Sequence, residues 1–121
     1  MSGWTDEELR ALDRIGEIRV AGRRKDGSLR TLTIVWHVVV DGKLYVRSVR
    51  GVDGSWYKGV IRHYQGVIDW EGQTRDVTYI PDDSADDLVA AAYFAKYGTG
   101  SSSQAINSTA AKATTLRVES R

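Results

Sequence analysis

The sequence predicts a mainly β protein, a barrel of six antiparallel strands with helices at its ends and at one crossover. Short runs rich in Val, Ile, Thr and aromatic residues recur along the 121-residue chain and are bounded by glycine-containing turns, as is typical of strands. Three other segments carry the cap residues of helices, so the expected order is α-β-β-β-α-β-β-α-β. This order suits a small barrel.

The first helix is expected over Asp6 to Arg14. Thr5 occupies the N-cap position and Glu8 lies three residues further on, so the two side chains can form a capping box. The helix is expected to end at Gly16 in the C′ position, where glycine is common. A first strand, Glu17 to Ala21, follows with apolar side chains at alternate positions.

A β-hairpin with a defined register is predicted next. Its first strand, Thr31 to Val40, is the longest run of β-branched and aromatic residues. Asp41-Gly42 is typical of a two-residue type I′ turn, and the second strand is expected over Leu44 to Val49. The turn fixes the pairing, so Val38 should lie opposite Tyr45.

The second half of the chain is predicted to contain two helices and three strands. Ser55 begins a helix, and Pro81 with the acidic cluster after it ends the sheet and begins another helix. The expected elements are a helix over 55–63, strands over 67–70 and 74–80, a helix over 85–97 and a last strand over 113–118.

Length and composition predict a single domain over residues 1–121, in which 98–111, GTGSSSQAINSTAA, form a flexible loop. The chain has no cysteine, which excludes disulfides, thiolate metal sites and thiol catalysis. The first residues show no secretory signal, and no apolar run approaches the ~20 residues of a membrane span. A cytoplasmic protein without a membrane partner is expected.

The charge balance argues against nucleic acid as a partner. Seventeen basic and sixteen acidic residues give a net charge of +1, whereas nucleic-acid-binding domains usually present a strongly positive face. A local basic cluster is the one feature that favours such binding, and it comprises Arg19, Arg23, Arg24, Lys25 and Arg30.

The segment Lys43 to Lys58, KLYVRSVRGVDGSWYK, predicts an anion-binding site. It is interpreted as a strand, a basic glycine-containing loop and a helix that begins at Ser55. Guanidinium groups and the free N–H groups of a helix start both bind phosphate, so Arg47, Ser48 and Arg50 are candidates together with the helix start.

These candidates also have simpler interpretations. Arg47 lies opposite Trp36 in the predicted register, where its guanidinium would stack on the indole ring. Arg50 and Lys58 are exposed by pattern, as solvated charges usually are. Ser55 is expected to act as a helix cap.

No metal site or hydrolytic triad is predicted. His37, on an apolar strand face, is typical of a hydrogen-bonded core residue, and His63 lies near a helix end. Asp69 and Asp76 would face each other across a hairpin if Gly72-Gln73 were its turn, although exposed strand positions are the simpler interpretation.

The run from Gly22 to His63, GRRKDGSLRTLTIVWHVVVDGKLYVRSVRGVDGSWYKGVIRH, resembles the flavin-binding split barrels, in particular the deazaflavin-dependent nitroreductase-like proteins. Together with AYFAKYG and the terminal ATTLRV, nearly the whole chain is similar to domain-of-unknown-function family 2255, which is assigned to the split-barrel group. The resemblance implies a six-stranded FMN-binding split barrel that forms a homodimer. It also implies a flavin-type cofactor in a groove at the dimer interface.

The same resemblance implies which residues bind the cofactor. Segment 47–51 matches the part that holds the cofactor phosphate, 55–56 matches the helix start beside it, and 30–33 matches the strand along the ring system. Trp36 and Trp56 are expected to shape the ring pocket, and no catalytic residue can be assigned. The expected site residues are Arg30, Thr31, Thr33, Trp36, Arg47, Ser48, Arg50, Gly51, Ser55, Trp56 and Lys58.

The function expected from this resemblance is FMN or deazaflavin binding with hydride-transfer chemistry on a small organic substrate, as in a nitroreductase-like oxidoreductase. The alternative is a non-catalytic small-molecule-binding or dimerisation module of the same fold. The absence of an evident acid or base residue keeps that alternative open.

Overall fold

The computed structural model describes residues 3–121 and contains seven strands and five α-helices in that range. The strands are β1 (Ile18–Gly22), β2 (Thr33–Val35), β3 (His37–Val40), β4 (Lys43–Val46), β5 (Gln65–Trp70), β6 (Gln73–Pro81) and β7 (Leu116–Ser120). The helices are α1 (Asp6–Arg14), α2 (Ser55–Val60), α3 (Asp86–Tyr97), α4 (Ser101–Ile106) and α5 (Thr109–Lys112), and Gly51–Asp53 form a short 3₁₀ turn. The strands form one antiparallel sheet in the order β2-β1-β5-β6-β7-β4-β3.

The two edge strands of the sheet, β2 and β3, follow each other directly in the chain. This short segment therefore brings the two edges together, and the sheet forms a nearly closed barrel. The sequence predicted a single strand over 31–40, but the chain breaks at Trp36 into β2, which pairs with β1, and β3, which pairs with β4. The barrel therefore has seven strands and not the predicted six. β7 lies between β6 and β4, and thus links the two parts of the sheet by hydrogen bonds.

The predicted central hairpin is confirmed. Asp41 and Gly42 have φ angles of 50° and 75°, as a type I′ turn requires, and Val38 pairs with Tyr45. The second strand of this hairpin ends at Val46, three residues before the predicted end, so the following loop starts earlier.

Alternate residues of the strands build two hydrophobic clusters. In β4, Leu44 and Val46 belong to the barrel interior, whereas Tyr45 between them packs under α3. The interior cluster contains Leu12, Ile18, Val20, Val35, Leu44, Val46, Val60, Ile68, Trp70, Val77, Tyr79, Leu116 and Val118. The cluster under α3 contains Val38, Tyr45, Val89, Tyr93 and Ile106.

The bounds of α1 and its capping box are as predicted. The Glu8 N–H donates to Thr5 Oγ1 at 3.1 Å, and the Thr5 N–H donates to Glu8 Oε1 at 2.9 Å. Gly16 lies at the predicted C′ position, directly after the C-cap residue Ile15, but Ile15 is extended and Gly16 does not have a positive φ. Side chains from β3 and α3 bind the free end of the helix instead, which removes the need for a glycine cap.

His37 is the main partner of that helix end. Its ring is fully buried, and Nε2 lies 2.6 Å from the Leu12 carbonyl oxygen, so we assign the ring proton to Nε2. The ammonium group of Lys96 donates to the Leu12 and His37 carbonyls at 3.4 and 3.2 Å. Burial, and secondarily the charge of Lys96, lowers the pKa of His37 to about 4.

Residues 98–111, predicted to be a loop, contain α4 and the start of α5. Their small polar residues serve as caps: Ser108 Oγ accepts from the Ala111 N–H at 3.2 Å, and Gly98, with φ of 90°, ends α3. The end predicted for α3 is therefore confirmed, whereas α2 ends at Val60 and not at residue 63. No helix in residues 3–121 has the length and apolar character needed to cross a membrane.

We expect acid to destabilise the protein through His37. In the unfolded chain the ring takes up its proton near pH 6.5, but in the folded protein it does so only near pH 4. The unfolded state thus binds more protons in this window, so the stability associated with the neutral ring is present above pH 6.5 and is lost on acidification. Relative to His37→Gln, the wild type should lose about 3 kcal/mol of unfolding free energy between these pH values.

Urea unfolding at a series of pH values measures this difference. His63→Gln, at an exposed position, is the matched control for the substitution. Parallel pH profiles for the wild type and His37→Gln would contradict the assignment.

Candidate functional site

A groove runs along β2, beside the loop after β4 and the start of α2. Its larger part, the main chamber, has a volume of about 500 Å³, and its smaller part, the side chamber, about 180 Å³. Thr33, Ser55 and Trp56 line both chambers, which therefore adjoin. The main chamber alone has the size of a typical small-molecule site.

Nine of the eleven residues predicted from the sequence line this groove. Trp36, Arg47, Ser48 and Arg50 line the main chamber, Arg30 and Thr31 the side chamber, and Thr33, Ser55 and Trp56 both. The two that do not line it are Gly51 and Lys58.

Gly51 and Lys58 have other positions. Gly51 has a φ of 67°, and a Cβ there would lie 3.2 Å from the Ala110 Cβ, so this glycine permits close packing of the loop on α5. Lys58 is an exposed residue of α2. Neither residue lines the main chamber or the side chamber.

Aromatic side chains form walls of the groove. Trp36, at the break between β2 and β3, stacks on Tyr97 of α3 with ring centroids 4.0 Å apart and planes 6° apart. Trp56 contacts the edge of Tyr57 at 6.0 Å. The two tyrosines thus pack against the two tryptophans, and the tryptophan rings give the groove flat apolar walls.

Ser48 lines the main chamber and has a buried hydroxyl without a partner in the described part of the chain. Its N–H donates to Thr114 Oγ1 at 2.8 Å, but its Oγ is buried and has no hydrogen-bond partner among residues 3–121. A Cβ on Gly54 would lie 2.2 Å from this oxygen, so the hydroxyl has its space only because residue 54 is glycine. A buried hydroxyl without a partner is costly, and a polar ligand group would satisfy it.

The start of α2 also carries no side-chain cap. The N-cap residue is Gly54, which corrects the prediction that Ser55 caps the helix. Ser55 is the first helical residue, and it is exposed at the boundary of the two chambers.

Two arginines line the side chamber: Arg24, whose Nη1 donates to the Leu29 carbonyl at 2.6 Å, and Arg30. The backbone N–H of Arg30 donates to the Gly22 carbonyl at 2.9 Å, while its Nε is buried without a partner in the described part of the chain. No carboxylate of residues 3–121 forms an ion pair with it. An anionic ligand group in the side chamber would supply the missing acceptor.

Arg47 is fully buried, and its guanidinium group binds residues from three other parts of the chain. Its Nε donates to Thr115 Oγ1 at 2.9 Å and its Nη1 to Asn107 Oδ1 at 2.7 Å. Its Nη2 donates to the carbonyl and carboxylate oxygens of Asp86, both at 3.2 Å. The guanidinium lies over the ring of Tyr93, with Cζ 5.7 Å from its centroid, and not over Trp36 as the hairpin register suggested.

These contacts change the interpretation of Arg47. Each of its three nitrogens already donates to a protein acceptor, so the residue predicted to bind phosphate serves here to fix the wall of the groove. Among the residues that line the groove, the cations with no ion pair in the described part of the chain are Arg24 and Arg30 in the side chamber and Arg50, which is exposed, in the main chamber.

Several lining residues were missed by sequence reasoning. Ile34 and Val49 are exposed apolar residues beside predicted site residues, and their alternation with those residues was a usable signal. Ser102 and Ile106 gave no signal, because their segment was predicted to be a loop. The remaining missed residues are Glu17, Val35 and Gly54 in the main chamber and Gly22 and Arg24 in the side chamber.

No metal centre is present among residues 3–121, where no three His, Cys, Asp or Glu side chains converge. The second hairpin turns at Glu71-Gly72, with φ of 49° and 77°, so Asp69 and Asp76 are not opposite each other. They pair instead with Arg19 at 2.8 Å and with Arg23 at 2.7 Å.

The groove fits a flat aromatic ligand with an anionic group. Two tryptophans and aliphatic side chains supply apolar walls. Ser48 and Arg30, each with a buried polar atom that has no partner among residues 3–121, lie at separate points of the lining. Glu17 is the single carboxylate in the described lining of either chamber. The lining therefore offers binding and orientation more than acid–base chemistry.

The chain is similar to known proteins over most of its length. Residues 8–118 match the family DUF2255, described as "Uncharacterized protein conserved in bacteria". The crystal structure of the conserved hypothetical protein Rv2991 from Mycobacterium tuberculosis is 13% identical, with a TM-score of 0.62 over 96% of this chain and 79% of that one. No curated protein matches the chain.

Two further solved structures share the fold. An F420 reductase is 12% identical, with a TM-score of 0.58 over 98% of this chain and 94% of that one. A NimC/NimA family protein from Clostridium acetobutylicum is 19% identical, with a TM-score of 0.51 over 92% of this chain and 78% of that one. At such identities the likeness shows the fold alone, and that fold is the split barrel predicted from the sequence.

We expect Arg47→Ala to destabilise the protein by about 3–5 kcal/mol, because it leaves the polar groups of Asp86, Asn107 and Thr115 without their donor. Arg50→Ala, at an exposed position in the same loop, is the control and should change the unfolding free energy by less than about 0.5 kcal/mol. Chemical denaturation of both variants measures the effect. Equal stabilities would show that the buried contacts of Arg47 do not support the fold.

Proposed function

The chain belongs to the DUF2255 family, and we propose that it binds FMN or a deazaflavin in its groove and catalyses oxidoreduction of a small organic substrate. The F420 reductase and the NimC/NimA family protein that share its fold support a cofactor of this type. The observation that carries the proposal is the pairing of tryptophan walls with unpartnered donors in one groove.

The two chambers differ in chemistry, and we assign them different parts of the cofactor. The main chamber, with Trp36 and Ile34, suits the flat ring system, and the Ser48 hydroxyl would donate to a ring oxygen or nitrogen. The side chamber, with Arg30 and Thr31, suits an anionic tail. Ser55 and Trp56 lie between the two.

A bound flavin or deazaflavin supplies hydride-transfer chemistry, and the protein supplies binding, orientation and exclusion of water. In this chain the stack of Tyr97 behind Trp36 keeps the wall of the main chamber rigid. Arg50, exposed at the same chamber, would attract an anionic group to the mouth of the groove. The space of the main chamber that the ring leaves free would hold the substrate.

A second copy of the chain would complete the site. Ile34 and Val49 are 58% and 53% exposed, line the main chamber, and are accompanied by Val52 at 58% in the same loop as Val49. Large apolar side chains exposed together at the mouth of a groove favour burial against a partner. A homodimer would cover them and exclude water from the ring.

The lining also favours one alternative function, a small-molecule-binding module without turnover. Among the described residues, neither chamber contains His, Lys or Tyr, and Glu17 is the one carboxylate. Reduction of the bound cofactor and its reoxidation by nitroaromatic or quinone substrates distinguish an oxidoreductase from such a module.

We expect Arg30→Met to weaken FMN or deazaflavin binding by about tenfold to a hundredfold, the effect of losing a charge-assisted hydrogen bond of ~1.5–3 kcal/mol. Arg10→Met is the matched control, because Arg10 is exposed on α1 and lines neither chamber. Fluorescence titration of the purified proteins with FMN and with F420 measures the dissociation constants. Failure of the wild type to bind either one would refute the proposed function.

We expect Ile34→Asp to convert a homodimer into a monomer, because it places a charge in an apolar contact. Leu88→Asp is the matched control, since Leu88 is 55% exposed but belongs to α3 and lines neither chamber. Light scattering after size exclusion gives the mass of each variant. A wild type that is monomeric at all concentrations, or an Ile34→Asp variant that stays dimeric, would contradict this surface as the interface.

A further inference from the structure

Gly59 lies on the buried side of α2, where the stem of Arg30 passes over it. A Cβ built on Gly59 would lie 2.6 Å from Arg30 Cδ and 3.2 Å from Arg30 Nε. The three heavy atoms nearest to that Cβ, all within 4 Å, belong to Arg30. The guanidinium stem therefore rests directly on the bare backbone of α2.

The backbones on both sides of this contact are fixed. A Cβ on Gly22 of β1 would lie 2.8 Å from the Gly59 carbonyl oxygen, so α2 and β1 already approach as closely as two glycines permit. The Arg30 N–H is held by the Gly22 carbonyl at 2.9 Å, and Val60, next to Gly59, is fully buried in the barrel interior. If residue 59 had a side chain, the flexible stem of Arg30 would be the part that moves.

We propose that Gly59 is a positioning residue for ligand binding: it holds the Arg30 guanidinium beside the side chamber, where that group meets the anionic part of the cofactor. This inference rests on the proposed function and extends it to a residue that lines neither chamber. The buried Nε of Arg30 has no hydrogen-bond partner among residues 3–121. Because no protein acceptor in that range fixes the orientation of Nε, the contact with Gly59 can determine where the guanidinium lies.

If Gly59 acts on ligand binding through Arg30, then Gly59→Ala should weaken binding without lowering the stability of the protein. Alanine favours a helix more than glycine does, and the added methyl group displaces a side chain and not the backbone. Gly59→Ala should therefore leave the unfolding midpoint unchanged or raised while it weakens ligand binding. A glycine needed only for the packing of α2 would give the opposite result, a loss of stability.

The test is a double-mutant cycle of Gly59→Ala and Arg30→Met, titrated with FMN and with F420. Gly16→Ala is the matched control, because a Cβ at Gly16 meets no atom within 4 Å. We expect Gly59→Ala to weaken binding by about tenfold when Arg30 is present and by less than about twofold in the Arg30→Met background. Equal losses in both backgrounds, or no loss in either, would overturn the inference.

A second measurement needs no ligand. In the ligand-free protein the NMR cross-peak of the Arg30 Nε–H group should shift in Gly59→Ala and stay in place in Gly16→Ala, whereas an unshifted cross-peak in Gly59→Ala would overturn the positioning role. The proposed function has a separate test: it is refuted if the wild-type protein binds neither FMN nor F420. The two failures are therefore distinguishable.

Discussion

The architecture around the groove depends on one buried cation, the guanidinium of Arg47. It binds Asp86 at the start of α3, Asn107 at the end of α4 and Thr115 just before β7, partners that are 39 to 68 residues away along the chain. A buried charge is tolerated only when its hydrogen bonds are satisfied, so these elements must meet at one place for the fold to be stable. The loop after β4 and the helix α4, both of which line the main chamber, take their positions from this contact.

Local features of the sequence predicted much of the fold. The Asp41-Gly42 turn set the register of the central hairpin, and Thr5 and Glu8 set the start of α1, because in each case the determining residues are neighbours in the chain. The break at Trp36 could not be found this way, since it depends on which strands pair with residues 33–35 and 37–40. The helices α4 and α5 were not predicted either, because a segment of small polar residues is typical of a loop.

Sequence reasoning found many residues that line the groove, but it did not find the contacts that those residues make. Most of the expected residues do line the groove, because they come from two segments that the barrel brings together. Their roles depend on distant partners: Arg47 is satisfied by Asn107 and Thr115, while Arg30 has no acceptor for its Nε in the described range. Whether an arginine is available to a ligand is thus decided by residues far away in sequence, which a single sequence does not reveal.

The place of β7 in the sheet has a consequence for how the barrel assembles. The hairpins β3–β4 and β5–β6 form between near neighbours, but within residues 3–121 only the strand 116–120 joins them by β-ladder pairing. Until that segment emerges from the ribosome, β4 and β6 each expose an unpaired edge, the kind of surface on which nascent chains associate wrongly. We therefore expect closure to be a long-range step whose rate sets how long these two edges stay exposed.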